Sequence, residues 1–347
     1  LSFGPRAVRE QATPHLRRVI LKSWSRAKLS PFSPRLPREL RGFDVVHCHQ
    51  LQVLPTVLAA WRPLRGRQKI FVSDLGGAGW TPGRLLDPAP RVDGFLALSR
   101  YAATGTRRAG WPTRVIWGGI DPARYPGRDP TGGTRGEHDG SLVFLGRLLP
   151  HKGVHFLLEA LPPGRTLQVI GSVADPAYRA RLAELARGKD VHFHAGLDDE
   201  AVRGFLERAL ALVHPTPVDE RGSAGAAELL GLAPIEAMAC GAPVVASRAA
   251  SLPEIVEDEF SGLLVPPNDP TAIRVAIERL ATSEELWHRL SVGARARALE
   301  RFTWSRVVDR CLAAYRGEPD PDLPTADPPR TEGWAIEPSA PLREGRD

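Results

Sequence analysis

Glu228-Leu-Leu-Gly231-Leu-Ala-Pro234-Ile-Glu236-Ala-Met-Ala-Cys-Gly241, followed by the apolar run Pro243–Ala246, lays out a helix and a buried strand with their punctuation. Pro234 suits a helix start, where its missing amide costs nothing, and Gly241 suits the end. Read outward, the same alternation repeats. Short apolar runs predict strands at Asp44–Cys48, Lys69–Val72, Gly94–Leu98, Arg114–Trp117, Leu142–Leu145, Leu167–Ile170, Val191–Phe193, Ala211–His214 and Gly262–Val265. Helical patterns at Pro176–Ala186, Glu200–Leu210 and Pro270–Leu280 separate several of them, with Asp269 placed to cap the last. Near-continuous apolar strands between amphipathic helices predict an α/β protein whose parallel sheets are covered on both faces. A Gly/Pro/polar stretch over 126–140 reads as a linker between two Rossmann-like domains, 1–125 and 141–300. Residues 301–317 read as a closing helix, and the proline-dense 318–347 as a disordered tail.

Composition limits the function classes. At 347 residues, 42% hydrophobic and 25% charged, the chain is long enough for two cores. It contains no run of about 20 apolar residues that would span a membrane. Arg6, Arg9 and Glu10 interrupt any apolar core of a signal peptide. Three scattered cysteines, Cys48, Cys240 and Cys311, argue against a disulfide framework or a cysteine zinc site, so a reducing, cytoplasmic setting is expected. The +6 net charge is unevenly spread, with a basic head over 1–45 and an acidic tail over 318–347. No nucleic-acid-binding motif accompanies the basic head. Within it, His15–Lys28 has apolar residues Leu16, Val19, Ile20 and Trp24 at helical spacing among basic ones. The spacing predicts a helix, which either packs on a core or lies on an anionic inner-membrane face beside a lipid acceptor.

Two segments carry chemistry. In the opening segment, amides at Gly231, Leu232 and Ala233 head a helix and can point at an anion. Glu236 falls in the predicted first turn, where a carboxylate can accept from a ribose diol, and Glu228 can reach hydroxyls beyond a bound phosphate. The plain alternative is a capped helix with two solvated glutamates. Upstream, Val143-Phe-Leu-Gly146-Arg147-Leu-Leu-Pro-His-Lys152-Gly153 ends a strand in glycine and sets two cations five residues apart before a helix. Two such cations suit a diphosphate. The P-loop order is absent, and an exposed basic loop is the plain alternative.

Together these segments resemble the retaining group 1 glycosyltransferases (glycosyltransferase family 4, GT-B fold). Asp44-Val-Val-His-Cys-His49, Ala97-Leu-Ser-Arg100, Val115-Ile-Trp-Gly-Gly-Ile-Asp121, Pro243-Val-Val-Ala-Ser247, Leu252-Pro-Glu254 and Gly262-Leu-Leu-Val265 strengthen the likeness, which covers about 42–316. It implies two Rossmann-like domains facing across a cleft, with the closing helix returning to the first. It also implies front-face transfer from a nucleotide-diphosphate sugar, with no protein nucleophile, no cofactor and no metal. Gly146, Arg147 and Lys152 would hold the diphosphate, Glu236 the ribose, and Glu228 the transferred sugar, supported by the Gly231–Ala233 amides. His49, ahead of His47, would lie near the reacting sugar. The acceptor, whether sugar, lipid or small molecule, is not readable.

The sequence also departs from the family pattern. Where a His before a Gly is usual, it reads Phe71-Val-Ser-Asp74-Leu-Gly76-Gly77, so Asp74, Gly76 and Gly77 stand as acceptor-side candidates. Gly118 replaces the usual Asn of its phrase. The loop before Glu228 is long and holds Glu220, a competitor at the wrong distance from Glu236. The family's opening strand, Gly-Gly loop and helix, on the order of 30 residues or more, have no counterpart before Asp44, so an incomplete, truncated first domain is expected. Three activities compete on these residues. They are a transferase, a binding remnant that captures donor without transfer, and a nucleotide-sugar epimerase, which the motif pair disfavours.

Overall fold

The computed structural model describes residues 2–24, 31–51, 53–61, 68–73, 87–108, 110–127, 138–219 and 228–319. Its strands are β1 Ser2–Gly4, β2 Val8–Thr13, β3 Leu16–Lys22, β4 Val45–His49, β5 Lys69–Ser73, β6 Gly94–Ala97, β7 Thr113–Val115, β8 Leu142–Leu145, β9 Leu167–Ile170, β10 Val191–His194, β11 Ala211–His214, β12 Val244–Ser247 and β13 Gly262–Val265. The helices are α1 Leu36–Glu39, α2 Leu54–Ala60, α3 Arg100–Arg108, α4 Val154–Ala160, α5 Pro176–Leu185, α6 Asp199–Arg208, α7 Leu232–Ala239, α8 Leu252–Ile255, α9 Pro270–Thr282, α10 Glu284–Arg301 and α11 Trp304–Arg316. They fall into two units, one built from the described residues of 2–116 and 310–319, the other from those of 117–309.

The second unit carries a parallel sheet in the order β10-β9-β8-β11-β12-β13. From β8 the chain first moves outward through β9 and β10. It then returns to the other side of β8 as β11 and moves outward again. Right-handed crossovers in opposite directions place α4 and α7 on opposite faces. Leu142, Phe144, Val169 and Val213 of the sheet pack with Leu157, Leu182, Ile273 and Leu290 into one core, each with 0–1% exposure. Side-chain caps start the helices as their sequences suggest, with Asp175, Asp198, Asp269 and Ser283 each accepting an amide of the first turn. Each such cap contributes about 1 kcal/mol.

The first unit holds a parallel sheet in the order β4-β5-β6-β7 and a separate sheet in the order β1-β3-β2. The smaller sheet corrects the reading of His15–Lys28 as a helix. Residues 16–22 are β3, antiparallel to β2, with Val19 and Leu21 buried at 4% and 2%. Those two join Leu36, Val46 and Ile70 in a common core. Burial alternates with a period of two, Val19 and Leu21 inward on either side of half-buried Ile20, and the β-branched pair Val19-Ile20 suits a strand. Among the described residues of that stretch, 15–24, there is no basic helix to lie on a membrane. No helix among the described residues is long and apolar enough to cross one.

The units meet along the chain at 116/117, not at 125/126 as the linker composition suggests. Residues after β7 belong to the second unit because they bond to it. Ile120 bridges Thr303, its amide donates to Phe302 O at 2.8 Å, and the Arg295 guanidinium reaches the carbonyls of Tyr125, Pro126 and Ala239. Of the stretch read as a linker, 128–137 lies outside the described residues, as does 320–347 of the tail. α11 begins in the second unit, and its residues from 310 on belong to the first.

Gly153, between the loop after β8 and α4, has φ +72°, and a Cβ there would lie 1.9 Å from Pro215 O. Gly164 has nearly the same φ, +73°, with nothing within 4 Å of a Cβ. Gly164→Ala should cost only the left-handed backbone penalty, about 1 kcal/mol, whereas Gly153→Ala should cost at least about 3 kcal/mol. Urea denaturation of the two variants side by side checks this, and equal losses would show that the Gly153–Pro215 contact constrains nothing.

Candidate functional site

The chemistry collects where the sheet reverses direction. In open parallel sheets such a reversal leaves the strand ends flanked by connections that depart to opposite faces, and ligands bind there. The reversal lies between β8 and β11. The segment after β8 supplies Gly146, Arg147 and Lys152, and the segment after β11 leads to Glu228. Leu148 anchors the first loop through its amide to Ser172 O at 3.0 Å, while Arg147 beside it is exposed and pairs with no carboxylate among the described residues. A 3₁₀ turn over Pro150–Lys152 then turns Lys152 inward.

Lys152 donates from Nζ to Glu228 Oε2 at 2.6 Å. His214, the last residue of β11, meets the same oxygen through Nε2 at 2.7 Å. The three side chains are 13%, 11% and 3% exposed, so the carboxylate sits largely out of water. Burial pushes the Glu228 pKa up, but the nearby His214 and Lys152 outweigh it and bring the pKa down to about 2. The carboxylate is therefore ionised at neutral pH and can only accept, so His214 donates from Nε2. Its Nδ1 is buried without a partner among the described residues, and its ring lies parallel to Phe144 at 6.2 Å. Ser251 Oγ holds the Glu228 carbonyl at 2.9 Å. His151 stands in the same field: burial first, then Lys152 and Arg147, lower its pKa, against Glu228.

α7 starts at Leu232, two residues before Pro234, with Gly231 at the cap and φ +91°. Proline fits because the first four helical positions have no intrahelical amide bond to lose. Leu232 and Ala233 therefore head the helix with their amides, and Leu232 is 50% exposed. Glu236 accordingly opens the second turn instead of lying in the first. Its Oε1 accepts from Tyr125 OH at 3.2 Å. Burial raises the pKa of Glu236, and the Tyr125 bond opposes this. The structure thus unites Arg147, Lys152, Glu228, Gly231, Leu232, Ala233 and Glu236 in one unit.

Three participants escaped the sequence reading: His214, His151 and Tyr125. His214 had one legible signal, a histidine ending a buried parallel strand just before a candidate loop. Tyr125 had none, since composition placed it at a linker. In the first unit, His47 and His49 share a face of β4 with ring centroids 4.8 Å apart. His49 is exposed at the strand's carboxyl end. His47 is occupied, meeting Ser73 Oγ through Nε2 at 2.7 Å and Tyr315 OH through Nδ1 at 2.8 Å. Asp74, Gly76, Gly77 and Glu220 lie outside the described residues.

Comparison with known proteins bears on this arrangement. Residues 133–297 match the family model described as Glycosyl transferases group 1. The chain is 32% identical over 320 residues to a glycogen synthase of Mycobacterium tuberculosis, covering 81% of this chain and 72% of that one. The chain belongs to the group 1 glycosyltransferases. It is also 36% identical over 185 residues to a D-inositol 3-phosphate glycosyltransferase of Saccharomonospora viridis, and there spans only 42% of the relative's length. Among solved structures it is similar to Anabaena HepE in complex with UDP-glucose, with TM-score 0.66 and 19% identity, covering 86% of this chain and 85% of that one. The fold is that of the GT-B glycosyltransferases.

The burial of His47 makes the first unit of this glycosyltransferase acid-sensitive. Burial, then the charge of His49, lowers the His47 pKa from 6.5 to about 4. Between those values the unfolded chain binds a proton that the folded chain refuses, so stability is complete above 6.5 and falls as the pH drops towards 4. The expected loss is on the order of 2 kcal/mol, discounted for partial exposure of the ring. Urea midpoints measured between about pH 7.5 and about pH 4.5 should show it, and His47→Phe should flatten the profile in that window. An unchanged slope in the variant would rule out His47 as the source.

Proposed function

We propose that this chain is a retaining glycosyltransferase that takes its sugar from a nucleotide-diphosphate donor held at the reversal of the second sheet. The observation that carries the reading is the ionised Glu228 beside Lys152, with exposed Arg147 and the amino end of α7 around it. A diphosphate needs positive charge and amide donors, and Arg147, Lys152 and the Leu232 and Ala233 amides supply both. A ribose diol needs a fixed acceptor, which Glu236 provides with Tyr125 behind it. A hexose needs a hydroxyl acceptor that stays ionised, which is Glu228. The binding of UDP-glucose by HepE supports the donor class.

Transfer then breaks the bond from the sugar's C1 to the phosphate oxygen and forms one from C1 to the acceptor oxygen on the same face. The acceptor's proton passes to the departing phosphate oxygen. Arg147 and Lys152 stabilise the charge that collects on the leaving diphosphate, so the step needs no metal and no protein nucleophile. His49, at the exposed end of β4, is assigned to the reacting sugar. The three cysteines are free thiols, which suits a reducing cytoplasmic setting where such donors are made.

A ligand-induced thermal-shift screen of UDP-, GDP- and ADP-sugars tests the reading. One donor should raise the melting temperature, and Arg147→Ala should weaken it by about 10- to 100-fold through loss of a charged contact. Glu236→Gln should weaken the nucleotide diphosphate and the nucleotide sugar alike. No shift with any donor, or a shift indifferent to Arg147→Ala, would sink the proposal. Binding with neither transfer nor slow donor hydrolysis would replace the transferase with a binding protein.

A further inference from the structure

Glu228 is held in an unusual way: among the described residues, both side-chain partners of its carboxylate converge on one oxygen. Lys152 Nζ at 2.6 Å and His214 Nε2 at 2.7 Å share Oε2, while Oε1 accepts from no described residue. A flexible lysine by itself fixes the charge of a carboxylate but not its direction. Its ammonium is a point charge on four rotatable bonds. A ring wedged at the end of a strand is different. His214 is 3% exposed, its backbone is in register with Ala246 of β12, and its ring lies parallel to buried Phe144. Its Nε2 therefore has one place to point.

We infer that His214 is a positioning residue for sugar recognition: its Nε2–H pins Oε2 of Glu228 and so presents Oε1 to a hydroxyl of the transferred sugar. The inference rests on the donor site proposed above and adds a residue to it. It also accounts for the unpartnered Nδ1, since a ring with one polar contact serves direction and not a proton relay. A relay needs a second partner on the other nitrogen, and among the described residues Nδ1 is buried without one. Lys152 then supplies charge, His214 supplies aim, and Ser251 holds the Glu228 backbone from the far side.

The inference separates two affinities that a structural role would move together. A bare nucleotide diphosphate does not touch Oε1, whereas a nucleotide sugar does. Calorimetry on the full chain therefore compares nucleotide diphosphate with nucleotide sugar for wild type, His214→Phe and His214→Gln. Phenylalanine keeps the ring beside Phe144 and removes the donor, while glutamine puts an amide N–H near the position of Nε2. His214→Phe should weaken the nucleotide sugar by about ten-fold or more and leave the diphosphate within about two-fold, and His214→Gln should recover most of the loss. Equal weakening of both ligands, or none of either, overturns the positioning role. Wild type binding diphosphate and its sugar equally tightly overturns it as well. Wild type binding neither defeats the donor-site reading itself, and that is seen before any variant is made.

Should His214→Phe not fold, ¹⁵N-histidine NMR of the wild type keeps the inference exposed. The resonance lost in His214→Gln should carry its proton on Nε2, and a proton on Nδ1 alone would overturn the geometry.

Discussion

A parallel sheet that reverses its winding cannot close over its own carboxyl edge. In the second unit the chain leaves β8 in one direction and β11 in the other, so α4 and α7 depart to opposite faces and the edge between them is left without a covering crossover. The candidate residues of the second unit follow the strands that flank that edge. Gly146, Arg147 and Lys152 follow β8, His214 ends β11, and Glu228 and Glu236 lie on the way from β11 to β12. The core beneath, from Leu142 and Phe144 to Leu290, makes the edge rigid, and the loops take their positions from it.

That placement has an electrostatic consequence. A carboxylate as buried as Glu228 is costly unless it is paired and hydrogen-bonded, and losing one partner of such a pair typically costs about 3–5 kcal/mol. Lys152 and His214 meet the cost in different ways, one with charge and one with a directed hydrogen bond. Among the described residues the Glu236 carboxylate receives a tyrosine hydroxyl alone, and its pKa moves the other way, upward with burial. Two glutamates eight positions apart thus occupy opposite electrostatic environments, which fits one for a role that needs full ionisation and the other for a milder acceptor.

The first unit follows a plainer logic. β4 to β7 are laid down in sequence order without a reversal, so its sheet has no comparable edge of its own. Its histidines separate by surroundings. His47 is locked between Ser73 and Tyr315, whereas His49, two residues on, is exposed. Tyr315 also packs against Phe71 with the rings tilted at 53°, and its carbonyl accepts from Lys69, so the end of α11 is fastened to β4 and β5 by aromatic and polar contacts at once.

By itself, the sequence determined the α/β class and the strands from β4 onward to within a residue or two, and it singled out the two motifs proposed to hold the donor. Each rests on short-range patterning: apolar runs, an N-cap aspartate before Pro270, a glycine after a helix, cations at a strand-to-helix turn. The strand at Val19 and Leu21 was not local in this way: a helical spacing fits Leu16, Val19, Ile20 and Trp24, and only burial of Val19 and Leu21 against Leu36 and Ile70 makes the segment a strand. Tertiary structure alone decided which groups meet. Tyr125 reaches Glu236 across 111 positions, and Lys152 reaches Glu228 across 76. His214 and Glu228 are only 14 apart, but no local period links them, because the intervening sequence carries none. Contacts made by the return of a strand across a sheet depend on the order in which strands pair. Hydrophobic patterning identifies a strand's buried faces without naming its neighbour.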